Sequence, residues 1–243
     1  ADSPVLYVHV RVTNVNDADV PLYWWSNIAV PQSVETRALA PAEHTWNYSY
    51  DNVLRREEVA PAGRPDVSYP ARFSDAADFF FDVSDAEQPW VASVDAYGSG
   101  LFQTSTARLG GRKLFRWGTS TGGRRWQEWL SGPILADAGG YAEIQAGLAA
   151  TQVEHLKMPA GAVWSWTEAY GPLDVGGEVA RAPWSEARCA GEAAVRELMA
   201  PAVLAEVHER AVALADRAPE EVLYAGSGWG ALERRLRARS GGP

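Results

Sequence analysis

Two stretches of this chain set a carboxylate among aromatic side chains at a spacing of two. YAEIQAG (141–147) alternates Tyr141, Glu143 and Gln145 with Ala142, Ile144 and Ala146. In an extended strand successive side chains face opposite ways. A phenol, an acid and an amide therefore share one face, and small apolar groups share the other. AVWSWTEAYG (162–171) repeats the design, with Trp164, Trp166, Glu168 and Tyr170 on one face. If these two strands pair, two acids stand on one sheet surface among aromatic rings. Apolar surroundings raise the pKa of an acid, as a general acid requires. Two carboxylates flanking a glycosidic bond hydrolyse it with retention at roughly 5–5.5 Å, or with inversion at roughly 6.5–9.5 Å. The plainer reading of the same pattern is a solvated polar sheet face.

Two further constellations supply contacts rather than acids. In YWWSN (23–27), Tyr23, Trp25 and Asn27 share a strand face while Trp24 points the other way. A flat indole matches the apolar face of a pyranose ring, and a neighbouring amide binds a hydroxyl. The segment RKLFRWG to GGRRWQEWLSG (112–132) crowds Arg116, Arg125, Trp126 and Glu128 onto a strand and a following loop or short helix. Arginine beside tryptophan gives cation–π packing, and arginine beside glutamate gives an ion pair. The candidate acid/base set is Glu143 first, then Glu168 and Glu128. The candidate ligand contacts are Trp25, Asn27, Gln103, Arg116, Arg125, Trp126, Gln145 and Trp166. For each tryptophan the competing reading is burial in the core.

These residues need strands to position them. Alternating or apolar runs at 5–12, 20–30, 77–83, 89–95, 100–109, 112–118, 141–158 and 162–171 read as strands, separated by Gly, Pro, Asn and Asp. GSG (98–100) and LGG (109–111) read as hairpin connections. The Pro-rich region 31–70 reads as long loops with one or two edge strands. Beyond residue 184 the character changes. Leu204, Val207, Ala211 and Leu214 form a helical stripe, and Pro201 and Pro219 fit first-turn positions. The expected organisation is a β domain over 1–184 and a helical extension over 185–243.

Composition narrows the function classes. The 243 residues carry a net charge of −9, of which −8 falls before residue 185. An acidic domain without a basic stripe argues against a nucleic-acid partner. No apolar run approaches the roughly 20 residues that span a bilayer, which argues against a membrane. No signal-like leader opens the chain, and its Ala-Asp start is compatible with an excised fragment or a removed signal. A lone cysteine, Cys189, excludes an internal disulfide and points to the cytoplasm. The four histidines are scattered, so no metal or other cofactor is expected. No phosphate-binding loop or nucleophile-elbow motif occurs. Ten of the eleven tryptophans lie before residue 185, more than a single core readily accommodates.

The ordered series YWWSNIAVP, YPARFSDAADFFFD, GLFQTSTARLGGRKLFRWG, GGRRWQEWLSGP, YAEIQAGLAATQ and MPAGAVWSWTEAYGPL resembles a bacterial domain of unknown function that commonly precedes tetratricopeptide-type repeats. The resemblance runs from about residue 15 to 175, and the tail containing GSGWGALERR is similar to the helices that lead into such repeats. More distantly, the pattern resembles the galactose mutarotase-like β-supersandwich, whose members include sugar epimerases. That resemblance implies an antiparallel supersandwich with a sugar-binding cleft and a late-strand glutamate as base. By order, Glu143 or Glu168 matches that glutamate. The epimerases also use histidines on central strands, and only His155 lies near such a strand here. The expectation is a carbohydrate-binding domain, either an epimerase- or hydrolase-like enzyme or a non-catalytic sugar module docking on the repeats. The alternative is an interaction scaffold whose tryptophans are simply core.

Overall fold

The computed structural model describes residues 3–48, 50–84, 86–132, 140–217, 220–221, 223–224, 226 and 228–240. Two antiparallel sheets carry the fold. The first has five strands in the order β1 (Leu6–Thr13), β13 (Val163–Asp174), β9 (Ser99–Ser105), β8 (Trp90–Val94) and β4 (Arg37–Leu39). The second has six, in the order β3 (Trp25–Pro31), β11 (Tyr141–Gly147), β10 (Gly111–Arg116), β7 (Ala77–Phe81), β5 (His44–Tyr48) and β6 (Leu54–Glu58). β2 (Val20–Leu22) and β12 (Leu156–Met158) form a short ribbon beside them. The expected antiparallel sandwich with helices after it is what the chain forms.

The sheets meet through one face each. Ala142, Ile144, Leu114, Phe79 and Phe81 belong to one buried cluster with Val91 and Phe102 of the five-stranded sheet. The alternation seen in YAEIQAG is thus spent as an interior face of Ala142, Ile144 and Ala146 and an outer face of Tyr141, Glu143 and Gln145. The outer edge strand β6 carries Arg55, Arg56, Glu57 and Glu58, charges that discourage further strand addition.

Helices cover the back of the five-stranded sheet. α3 (Trp184–Leu198) begins with Trp184, which stacks on Phe81 at 6.4 Å and donates to the Ala42 carbonyl at 2.9 Å. Gly191 lets α3 approach closely, since a Cβ there would lie 2.9 Å from the Trp90 ring. α4 (Pro201–Ala215) follows, anchored by Leu204 and by a shared hydroxyl. Thr167 Oγ1 lies 3.0 Å from His9 Nδ1 and 2.9 Å from His208 Nδ1, joining β13, β1 and α4. Arg11 pairs with Asp216 just beyond. Trp184, Ala187, Val195, Met199 and Leu204 belong to the same buried cluster as the sandwich. The remaining helices are α1 (Thr121–Ser131), α2 (Gly177–Arg181) and α5 (Gly228–Ser240). Among the described residues no helix is long and apolar enough to cross a membrane.

Three local expectations are corrected. The strands bearing Glu143 and Glu168 do not pair, because β11 lies between β3 and β10 while β13 lies between β1 and β9 in the other sheet. LGG does not close a hairpin within one sheet; it carries the chain from β9 across to β10 in the second sheet. The Pro-rich region supplies three strands, β4, β5 and β6, and β5 is interior to its sheet.

Candidate functional site

The outer face of the six-stranded sheet holds a continuous polar array. Cross-strand register aligns Asn27, Gln145, Lys113 and Phe80 in one row, and Ala29, Glu143, Phe115 and Asp78 in the next. Glu143 Oε2 accepts from Asn27 Nδ2 at 2.6 Å and from Gln145 Nε2 at 3.0 Å. Gln152 Nε2 donates to Gln145 Oε1 at 2.8 Å, and Lys113 Nζ donates to Gln152 Oε1 at 2.5 Å. Lys113 also pairs with Asp78 at 2.5 Å. The amides thus point their donors in one direction, from the lysine toward the glutamate. Both donors on Glu143 use the same oxygen, and among the described residues no donor reaches Oε1.

The array is held firmly. Lys113 is only 4% exposed, and burial pulls its pKa down while Asp78 and Glu143 oppose that pull. Burial likewise pushes the neighbouring Tyr141 phenol up, with Glu143 adding to the effect. Trp25 closes one end. Its ring sits directly over Gly147, where a Cβ would lie 2.2 Å from the indole, and its edge meets Phe80 at 5.8 Å. Trp24, by contrast, packs on Trp166 at 5.4 Å in the interior.

At the other end the sheet face opens into a cleft of about 540 Å³. Asp78 and Phe115, neighbours of Glu143 across the strands, form one wall. Tyr48, Tyr50, Asp75, Trp117 and Trp126 complete much of the rest. Phe115 and Trp117 meet edge to face at 4.8 Å. Tyr48 OH donates to Asn52 Oδ1 at 3.0 Å, fixing the rim turn in which Asn52 adopts a φ of 58°, a conformation asparagine tolerates. α1 presents Gly122, Gly123 and Trp126 to the cleft on one helical face. Ser120 caps it, and Gln127 ties it to the Tyr141 backbone N–H at 2.8 Å. A second cleft of about 560 Å³ lies near Pro31, Thr36 and Ser93, but among the described residues no aromatic ring lines it.

Glu168 has a different setting. It is 1% exposed, between the sheets. Ser26 Oγ at 2.6 Å, Gln103 Nε2 at 3.1 Å and Tyr170 OH at 2.5 Å donate to its Oε2, while Trp166 Nε1 donates to Oε1 at 3.3 Å. Arg112 lies in the same interior, donating to the carbonyls of Leu109, Gly111 and Pro89 and to Ser105 Oγ. Complete burial lowers its pKa to about 9, against the opposing pull of Glu168 and Tyr170. Burial and the bond to Glu168 push the Tyr170 phenol well up.

The residues picked from sequence therefore separate. Glu143, Gln145, Asn27 and Trp25 come together on the outer face, and Trp126 lines the adjoining cleft. Glu168, Gln103 and Trp166 form the interior network. Arg116 points inward, stacked on Phe73 at 3.6 Å and Phe79 at 4.6 Å and bonded to the Asp75 carbonyl. Burial lowers its pKa to about 10. Arg125 and Glu128 are exposed on α1, off the face that lines the cleft. Lys113, Asp78, Phe115, Trp117 and Tyr48 were not singled out. Period-two alternation along KLFRW would have placed Lys113, Phe115 and Trp117 with Glu143, but nothing local marks Gln152, which comes from the turn after β11.

No family model matches the chain, and no curated protein matches it. Solved structures do. A tetratricopeptide-domain protein from Parabacteroides distasonis superposes with a TM-score of 0.57 at 22% identity, over 70% of this chain and 28% of that one. This likeness shows a shared fold. The chain spans little more than a quarter of that protein's length. An Escherichia coli protein provisionally described as an aldose 1-epimerase is similar with a TM-score of 0.48 at 14% identity, over 70% of this chain and 57% of that one. A galactose mutarotase-like protein from Clostridium acetobutylicum is similar with a TM-score of 0.45 at 11% identity, over 69% and 52%.

Proposed function

We propose that the outer face of the six-stranded sheet and its adjoining cleft bind a carbohydrate, with Glu143 as the principal acceptor of a sugar hydroxyl. One observation carries this reading. Glu143 is fixed through Oε2 by two amide donors, while its Oε1 has no donor among the described residues. Charge-assisted acceptance of a hydroxyl is the strongest single contact available to a neutral sugar. Phe115, Trp117 and Trp126 offer the flat apolar faces that complement the C–H side of a pyranose ring.

Binding is favoured over turnover as the first function. The carboxylate that the register sets in the same row as Glu143 is Asp78, two strands away across Phe115, and it is occupied by Lys113. A hydrolase with two carboxylates needs both acids addressed to the bond. Glu143 remains the acid/base of a catalytic version of this site.

The test is a panel of neutral mono- and oligosaccharides followed by tryptophan fluorescence and calorimetry. At least one should shift the emission, and Glu143→Gln should weaken that binding by about tenfold or more. A panel without any response, or a Glu143→Gln variant that binds unchanged, removes the proposal. Product formation lost in Glu143→Gln with binding retained would identify an enzyme.

A further inference from the structure

The charges of the cleft wall are sorted by depth, and this sorting bears on which sugars fit. Asp75 and Asp78 line the cleft, and among the described residues no basic side chain does. The cations that balance them stand behind the wall. Lys113 is almost wholly buried against Asp78. Arg116 is buried among Phe73 and Phe79, close enough to Asp75 for the two charges to interact. At the rim, Arg55 is occupied by Asp51 at 2.5 Å. The segment 112–125 contains five basic residues, yet none turns its charge to this space. Arg112 is consumed by carbonyls inside the sandwich, and Arg124 and Arg125 sit off the cleft-lining face of α1.

A ligand entering the cleft therefore meets acceptor oxygens first, with the compensating cations at greater depth. Hydroxyl donors are matched by that order. A carboxylate or phosphate is not, because it approaches like charges and, among the described lining residues, meets no guanidinium or ammonium to pair with. Like-charge juxtaposition at an interface disfavours the wrong partner.

We infer that the site takes neutral, hydroxyl-donating glycans and rejects uronic acids and sugar phosphates, with Asp75 as a specificity-determining residue. This inference rests on the carbohydrate reading above. Asp75 is the informative position because it is exposed and, among the described residues, no hydrogen bond reaches its carboxylate, the Arg116 side chain bonding only its carbonyl. Asp78→Asn would instead leave the buried Lys113 without its partner and confound stability with specificity.

The experiment uses matched pairs that differ at C6: glucose and glucuronate, galactose and galacturonate, mannose and mannuronate, each as short oligomers. Calorimetry on the whole chain should find a neutral member bound about tenfold or more tightly than its acid partner. Asp75→Asn should narrow that gap severalfold without weakening the neutral sugar, and added salt should narrow it in the parent protein. An acid bound as tightly as its neutral partner overturns the inference and leaves the carbohydrate reading standing. A gap unchanged in Asp75→Asn also overturns it. Failure of every pair to bind removes the carbohydrate reading itself, and the inference with it.

Discussion

Glu143 and Glu168 are the same residue in nearly the same local pattern, but the fold gives them opposite work. Glu168 is enclosed by Ser26, Gln103, Trp166 and Tyr170 and shares the interior with Arg112. Glu143 is held by two amides on one oxygen and faces an open sheet surface. A carboxylate with both oxygens answered holds a structure together. A carboxylate answered on one side only has capacity left for a ligand. The contrast lies in which way each strand turns its acid: Glu168 points from β13 toward the other sheet, whereas Glu143 points to the outer face of the six-stranded sheet, which α3 and α4 do not cover.

Glu168→Ala is the severest way to test that contrast. It strips the acceptor from four donors and leaves Arg112 without its nearest counter-charge. The expected loss is roughly 3–5 kcal/mol of folding stability, read from the denaturant midpoint. A loss below about 1 kcal/mol would mean the interior network is not what holds the sheets together.

Gly147→Ala comes next. The new methyl would collide with Trp25, so a cost of about 1–3 kcal/mol is expected, with a change in tryptophan emission as the indole is displaced. Unaltered emission and stability would show that Trp25 has room to move.

Glu143→Gln should act in the reverse sense from Glu168→Ala. Its stability should stay within about 1 kcal/mol of the parent, while glycan affinity falls about tenfold. Trp126→Ala should follow it more weakly, since that ring is 56% exposed and its removal should leave the melting temperature nearly unchanged. Equal stability losses in Glu143→Gln and Glu168→Ala would erase the distinction.

The mildest effect concerns pH. Burial, His208 and Arg11 all lower the His9 pKa below its usual 6.5. The unfolded chain therefore takes up this proton more readily than the folded one. The stabilisation is fully present above about pH 6.5 and is lost as pH falls through the lowered folded value. The titratable and charged groups facing His9 are His208 from α4 and Arg11 from its own strand, the latter held by Asp216. Acidification should raise hydrogen exchange in α4 before the sheets, and His9→Gln should flatten that dependence. Exchange that rises evenly over the molecule would locate the acid sensitivity elsewhere.

Much of the outer face was legible along the chain. Period two in YAEIQAG and in the strand begun by Trp25 put Glu143, Gln145 and Asn27 together, because alternation depends only on extended backbone. Strand neighbours are another matter. WSWTEAY has the same period, but which sheet it joins depends on the LGG crossover and on where α3 and α4 settle, both long-range outcomes. Arg116 read as a ligand contact for the same reason: its strand face was assignable, but which face would become interior was not. Gln152 carries no periodic mark at all, since a turn delivers it. The helical character beyond residue 184 was plain from its stripe of Leu204, Val207 and Ala211, whereas its docking on Trp90 and Thr167 depended on partners far away in sequence.

The layering of helices, five-stranded sheet and six-stranded sheet also gives the molecule a front and a back. α4 runs along the back, so a linker or surface tether attached after Ala215 would pull from the side opposite Glu143 and the aromatic cleft. Molecules immobilised that way would stand with their polar face outward, each one accessible to a large polymer that could not thread into an enclosed pocket.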